Sequence, residues 1–232
     1  MKPRLSIILT LYNIKPLFVR DCLCSIQAQC FRAFKIIVID DCSTVDCSWI
    51  KTEPNCVYLR NEQNLGLCKS VNKAFGLVDT EYCVRIGSDD LIETDFFEEE
   101  VKFLDCNENY IAVCSDLQKF GFSETRIKRP QKWFKQIISS RREIVPAFHG
   151  YGYAGGMMFR SSALKTCRIN EEYSICEDFD FHLQLLEHGN IKSLHEPFYL
   201  YRAHATNYCR TFDRKKKIDF LEQILRKHGL YV

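Results

Sequence analysis

Two pairs of adjacent carboxylates stand out in this chain, each beside an apolar run. In "VRIGSDDLIETDFF", residues 84 to 97, Asp89 and Asp90 follow Gly87 and Ser88 where a strand-like segment ends. In "CEDFDF", Glu177 and Asp178 open a helical pattern in which Phe179, Leu183 and Leu186 share a face. Like charges side by side repel, so each pair needs a reason. For Asp89 and Asp90 one reason is a solvated turn followed by a helix cap. The other is a hard cation held by oxygen ligands, which removes the repulsion. For Glu177 and Asp178 one reason is a helix N-terminus that favours acids. The other is a general base whose pKa is raised by burial beside a second acid.

Composition narrows the choice. The chain has 232 residues, enough for one sizeable core, and its 46% apolar and 27% charged residues are ordinary for a globular protein. A formal net charge of +2 argues against a dedicated nucleic-acid binder, so no nucleic-acid partner is expected. The 13 cysteines include no C-x-x-C pair, which argues against zinc, and their odd count in a chain whose opening does not read as a signal peptide argues against a disulfide framework. They read as small reduced core residues, which implies a cytoplasmic setting. The opening "MKPRLSIILTLYN" has only a short apolar run broken by Ser6 and Thr10, and it reads as a buried strand rather than a signal peptide. No segment approaches the ~20 apolar residues of a membrane span.

The residues that could do chemistry must be held by an alternating scaffold. Strand patterns at 5 to 11, 34 to 40, 56 to 60 and 81 to 86 are separated by helical patterns at 16 to 29, near 44 to 51 and at about 65 to 77. In the first helix Pro16 suits the opening turn, with Leu17, Cys24, Ile26 and Ala28 among the apolar positions. Such βαβα alternation implies parallel strands with right-handed crossovers, so the strands' C-terminal ends line one edge of a sheet. Ligands of open α/β sheets bind there. Each strand end carries a polar cluster: Thr10, Tyr12 and Asn13; Asp40 and Asp41; Asn61 and Asn64; Asp89 and Asp90. From about residue 115 the chain turns polar, basic and aromatic, and residues 120 to 145 are the candidate for a water-excluding cover.

In order and spacing these segments resemble the family-2 glycosyltransferases of the GT-A fold, which use nucleotide-diphosphate sugars. "SIILTLYN", "IIVIDDCS", "NLGLCKSVN" and "RIGSDD" carry the likeness over residues 4 to 105, and "AGGMMFRSSAL", "CEDFDFHLQLL" and "YLYRAH" extend it more loosely. The resemblance implies a Rossmann-like, mixed and mainly parallel α/β sheet flanked by helices. It also implies inverting transfer of a sugar from a UDP- or dTDP-linked donor to a hydroxyl of a glycan, glycolipid or glycoprotein, with Mn2+ or Mg2+ as cofactor.

Roles follow residue by residue. Thr10 and Asp41 match positions that contact the pyrimidine base, with Tyr12 and Asn13 in the same loop. Asn64, Gly66, Lys69 and Asn72 match the segment that approaches the donor, where Lys69 could equally be a solvated helix lysine. Asp90 matches the metal ligand of the D-x-D motif and Asp89 the neighbour facing the donor, with Gly87 where the motif's first acid commonly stands. Asp178 matches the general base, with Glu177 beside it. Gly155 and Gly156 match a segment close to a sugar, or form a plain turn. His204 matches a position that completes metal coordination or contacts the diphosphate, or is structural. Arg202 faces phosphate or pairs with a surface acid.

The implied layout is one GT-A catalytic domain over 1 to 212, with a nucleotide-sugar half at 1 to 105 and an acceptor half at 106 to 212, then a C-terminal amphipathic helix at 213 to 232. That helix, with Phe220, Leu221, Ile224 and Leu225 at helical spacing, either packs on the domain or makes a peripheral contact with an anionic membrane. Two other functions compete. A nucleotidyltransferase would want a Gly-rich basic loop after the first strand, which "LTLYNIKP" lacks. A non-catalytic nucleotide- or glycan-binding domain is favoured by Gly87 and disfavoured by the retained acids.

Overall fold

A computed structural model describes residues 2–121, 126–128, 156–207 and 213–230. Strands β1 (Leu5–Leu11), β2 (Phe34–Asp40) and β3 (Cys56–Arg60) fall where the apolar runs place them. Helix α1 (Pro16–Gln27) and helix α2 (Leu67–Phe75) are shorter than their apolar patterns, and the segment near 44 to 51 is a 3-10 turn at Ser48–Thr52. The register of α1 differs from the expectation. Leu17 and Cys24 are exposed, and the buried face is Val19, Cys22, Leu23 and Ile26, the i, i+3, i+4, i+7 set that a helix can turn to one side.

Beyond β4 (Tyr82–Arg85) the chain forms β5 (Leu91–Ile92), α3 (Phe96–Cys106), β6 (Tyr110–Cys114), β7 (Leu117–Gly121) and β8 (Arg126–Lys128). After residue 155 come β9 (Met158–Arg160), a 3-10 turn at Ser161–Lys165, α4 (Glu177–Leu185), β10 (Asn190–Ser193), β11 (Tyr199–Ala203) and α5 (Arg214–Lys227). Seven strands make one sheet in the order β10-β6-β9-β4-β1-β2-β3. The pairs β3/β2, β2/β1, β1/β4 and β6/β10 are parallel, and β9 runs antiparallel between β4 and β6. The architecture is thus a mixed, mainly parallel α/β sheet. A second, four-stranded sheet, β5-β11-β7-β8, starts just past the β4 end and returns β11 beside it.

The two faces of the large sheet bury separate cores, because successive strand residues point to opposite sides. Ile8, Ile37 and Ile39 face α2, α4 and α5, whereas Ile7, Leu9, Ile36 and Val38 face α1 and α3. Burying each such side chain fully contributes about 1.5 to 3 kcal/mol, which fixes the register and hence which residues emerge at the strand ends. Helix α5 belongs to the first core: Leu221, Ile224 and Leu225 are buried there, and its far end is tied to α4 by Lys227 and His228 on the buried Asp180 carboxylate at 2.8 and 2.9 Å. Cys22, Cys47, Cys68, Cys83, Cys114, Cys167 and Cys176 are buried, and no disulfide joins the described cysteines. No described helix is long and apolar enough to cross a membrane.

Candidate active site

The C-terminal ends of β1, β2 and β4 meet along one edge, and the loops there are laced together. After β1, Asn13 takes a left-handed conformation (φ 52°) and its Oδ1 accepts from the Thr44 backbone N–H at 2.7 Å and its hydroxyl at 2.9 Å. Thr10 contributes its carbonyl, which accepts from the Ser88 hydroxyl at 2.9 Å and so joins the β1 and β4 ends. Tyr12 stands beside them 51% exposed, an aromatic face open to a ligand.

Asp40 and Asp41 have different tasks. Asp40 is fully buried and accepts from Ser43 N–H, the Tyr58 hydroxyl and Arg60. Burial pushes its pKa up, but those hydrogen bonds outweigh it and hold the carboxyl below its ordinary range. Asp41 organises the loop into α2. Its Oδ1 accepts from Asn61 Nδ2 and Leu65 N–H and its Oδ2 from Gly66 N–H, each at 2.8 Å. With roughly four lone-pair sites per carboxylate, one position on Oδ2 is left for a ligand N–H. Gly66, at φ 87°, lets the chain turn sharply into α2. Asn64 and Lys69 are exposed at that helix N-terminus, whereas Asn72 faces elsewhere: its amide grips Ile169 by both its carbonyl and its N–H.

At the β4 end the two acids also separate. Asp90 is 4% exposed, its Oδ2 accepting from the Tyr199 hydroxyl at 2.6 Å and its Oδ1 from Arg202 N–H at 2.8 Å. Burial, and then the neighbouring Asp89 charge, push its pKa up to about 8. The acid that meets His204 is Asp89: Nε2 of the imidazole lies 2.7 Å from Asp89 Oδ2, while Nδ1 lies 3.0 Å from Thr206 Oγ1. Asn207 backs both, accepting from His204 N–H at 2.6 Å and approaching Asp89 Oδ2 at 3.4 Å. Arg202 is turned into the protein, donating to the Asp89 carbonyl at 2.7 Å and to Asp21 at 2.9 Å, the acid-paired alternative foreseen for it.

Gly87 explains the missing first acid of D-x-D. A Cβ there would run into the Asp90 carboxylate, so a side chain and the present Asp90 geometry exclude each other. The Gly87 N–H donates to the Tyr199 hydroxyl at 3.0 Å. Gly156 is likewise a packing glycine, because a Cβ on it would lie 2.5 Å from Tyr199 Cδ2 and 2.8 Å from Phe96 Cζ. Gly155 and most of the 120 to 145 segment lie outside the described residues.

The second acidic pair opens α4. Cys176 enters the helix in a left-handed conformation (φ 65°), which delivers Glu177 and Asp178 to the first turn. Asp178 is half-buried, and its Oδ1 accepts from Phe179 N–H at 2.8 Å. Glu177 is buried, and Arg85, the last residue of β4, pairs with it at 3.1 Å. Burial raises the Glu177 pKa, opposed by the Arg85 charge and reinforced by Asp178. The thiols nearby are poor nucleophiles, since burial pushes both Cys68 and Cys176 up to about 12. Arg85 went unnoticed in the sequence; a lone arginine inside "YCVRIG", where a strand should be apolar, was the available signal.

A divalent cation fits the Asp89 and His204 donors. One carboxylate oxygen and one imidazole nitrogen on a partly exposed edge match sites that draw remaining ligands from phosphate and water. The nitrogen favours Mn2+ over the all-oxygen preference of Mg2+. Among the described residues the one group of three or more clustered His, Cys, Asp or Glu ligands is elsewhere, the exposed Cys30, Asp95 and Glu98.

Comparison with known proteins agrees with this fold. Relatives include an uncharacterized glycosyltransferase of Haemophilus influenzae, 23% identical over 99% of this chain and 74% of its own length. Another, from Methanocaldococcus jannaschii, is 22% identical over 93% of this chain and 76% of its own. Among solved structures, Staphylococcus aureus TarS 1–349 in complex with UDP-GlcNAc superposes with a TM-score of 0.76 at 21% identity, covering 98% of this chain and 65% of that one. The mannosyltransferase PcManGT of Pyrobaculum calidifontis, in complex with GDP-Man and Mn2+, gives a TM-score of 0.72 at 17% identity, covering 98% and 64%. This chain thus spans a little under two thirds of those two structures, and at such identities they show the shared fold. The sequence profile of glycosyl transferase family 2 matches residues 6–168, the greater part of the chain, and the chain belongs to that family.

Proposed function

We propose that this chain transfers a sugar from a nucleotide-diphosphate sugar to an acceptor hydroxyl, with inversion at the anomeric carbon. The observation that carries the reading is the placement of two acidic centres around β4. Asp89 paired with His204 lies just past its C-terminal end, and Asp178 is tied to its last residue through Glu177 and Arg85. Asp89 and His204 are the residues that would hold Mn2+ or Mg2+, with Asp90, whose oxygens each accept one hydrogen bond from the protein, buried next to Asp89. When bound, the cation neutralises charge developing on the departing diphosphate.

The other steps belong to the chain. Tyr12 offers its ring to a nucleobase, and the remaining acceptor position on Asp41 Oδ2 suits the N–H of a uracil or thymine. Lys69 and the α2 N-terminus favour phosphate. Asp178 Oδ2 takes the proton of the acceptor hydroxyl; that oxygen attacks the anomeric carbon as the bond to the diphosphate breaks, its electrons leaving with the phosphate oxygen. A glycan, glycolipid or glycoprotein hydroxyl in a reducing, cytoplasmic compartment is the acceptor we favour, within polysaccharide biosynthesis.

Titration of the intact chain with UDP, dTDP and GDP, with and without Mn2+, tests the donor half. A pyrimidine diphosphate should bind, more tightly with Mn2+, and Asp89→Asn should remove the Mn2+ dependence. Asp178→Asn should reduce transfer by about 10²- to 10⁴-fold, the general range for a lost general base, with UDP affinity kept. Full transfer by Asp178→Asn would refute the base, and absence of binding by any nucleotide would leave the non-catalytic reading.

A further inference from the structure

We infer that Phe18 and Asp21 of α1 are positioning residues for the Asp89 and His204 pair, acting through Arg202 and through the His204 ring. The inference rests on the cation-binding reading of that pair. Three residues apart on a helix, Phe18 and Asp21 lie on one face, and that face meets the pair from two sides. The Phe18 ring packs against the His204 imidazole with centroids 5.1 Å apart. The same ring lies under the Arg202 guanidinium at 4.4 Å, with Phe120 on Arg202 at 4.9 Å. Asp21 Oδ2 accepts from Arg202 Nη2 at 2.9 Å, and Arg202 Nε donates to the Asp89 carbonyl at 2.7 Å.

Each link removes a freedom that a metal site cannot tolerate. A cation ligand must keep its orientation before the cation arrives, and residues behind the ligands commonly provide that. Here the imidazole is packed against the tilted Phe18 ring and held at its far nitrogen by Thr206. The Asp89 backbone is fixed by Arg202, which the carboxylate of Asp21 holds in place. Cys22 adds a contact from the next residue of α1, its thiol 3.5 Å from the Gly87 carbonyl. Since α1 begins three residues after Asn13, the same helix connects the base-facing loop to the cation pair.

The test is Mn2+ titration of the intact chain in the presence of UDP, read by the loss of the free Mn2+ electron paramagnetic resonance signal. It is paired with UDP titration without metal and with melting temperature. Phe18→Leu and Asp21→Asn should each weaken Mn2+ about 10- to 100-fold, the range for residues that orient metal ligands, with metal-free UDP affinity kept. Asp21→Glu should recover part of the loss. If Asp89→Asn loses Mn2+ while both α1 variants bind it as the parent does, the positioning role is overturned and the cation pair stands. If the parent binds no Mn2+, or Asp89→Asn still binds it, the pair itself is wrong and the inference falls with it. Should Phe18→Leu fail to fold, Asp21→Asn decides, because that side chain is 40% exposed.

Discussion

Arg85 Nη1 lies 3.1 Å from Glu177 Oε1, joining the last residue of β4 to the first residue of α4 across 92 positions of sequence. Glu177 keeps only 8% of its side chain exposed, so the arginine is the counter-charge that lets it stay beside Asp178. Replacing Arg85 by Met leaves a buried acid without its partner. Breaking fully buried pairs costs about 3 to 5 kcal/mol, and the cost here should be smaller because 30% of the Arg85 side chain is exposed. The start of α4 should loosen, moving Asp178. Transfer should then fall with kcat, while UDP affinity, set on the other loops, is kept. Equal loss in both would place Arg85 in the donor site instead.

Gly156 permits the contact that aims the β11 end. At φ 73° it sits against Tyr199 and Phe96, and Tyr199 in turn donates to Asp90. Gly156→Ala adds a methyl into occupied space and a conformation that alanine resists, so a loss of about 1 to 3 kcal/mol is expected from overpacking alone. Melting temperature checks it. A variant as stable as the parent would show that the Tyr199 ring yields without cost.

Glu100 supplies a stability change with pH from outside the site. It is fully buried in α3, neither oxygen has a hydrogen-bond partner among the described residues, and burial pushes its pKa well above the ordinary value. A folded-state pKa above the unfolded one means that the proton stabilises the fold. The contribution is complete below about pH 4.3 and is lost progressively as pH rises toward the raised folded value. Each pH unit in that window costs up to about 1.4 kcal/mol. Glu100→Gln cannot ionise, so its melting temperature should fall less than the parent's between pH 5 and 8. Parallel curves would mean that Glu100 finds a charge partner in solution.

The parts of the fold visible in the sequence are those where one local pattern decides. The runs at Leu5–Leu11, Phe34–Asp40 and Cys56–Arg60 are short, apolar and bounded by turn residues, and they match the strands residue for residue. Helix α1 was harder, because Leu17 is apolar yet exposed and only tertiary contact selects the Val19 and Cys22 face. In the site, residue types and strand ends were legible, but the division of labour within each acidic pair was not. Asp89 and Asp90 are indistinguishable as letters. Which of them faces His204 is decided by Tyr199 and Arg202, more than a hundred residues away. Separations of 92 and 97 residues likewise hid Arg85 and the grip of Asn72 on Ile169.

The C-terminal helix limits how a membrane contact could be made, and so how it should be tested. Its apolar residues Leu221, Ile224 and Leu225 already lie in the core, so they are unavailable for insertion into lipid. Deleting 213 to 232 would uncover that core and strip Lys227 and His228 from Asp180, so lost liposome binding by the truncated chain would report unfolding. What α5 can offer an anionic bilayer is its first turn, where Lys215 and Lys216 are exposed and Lys217 is half-buried. Each lysine close to such a surface contributes about 1 kcal/mol. Replacing all three by Glu should keep the melting temperature within a few degrees, since none is part of the buried face. If the helix holds the protein to a membrane, sedimentation with vesicles rich in phosphatidylserine should drop sharply and fall further with added salt. Undiminished sedimentation would remove α5 from any membrane role and leave it as a brace for the helix that carries Asp178.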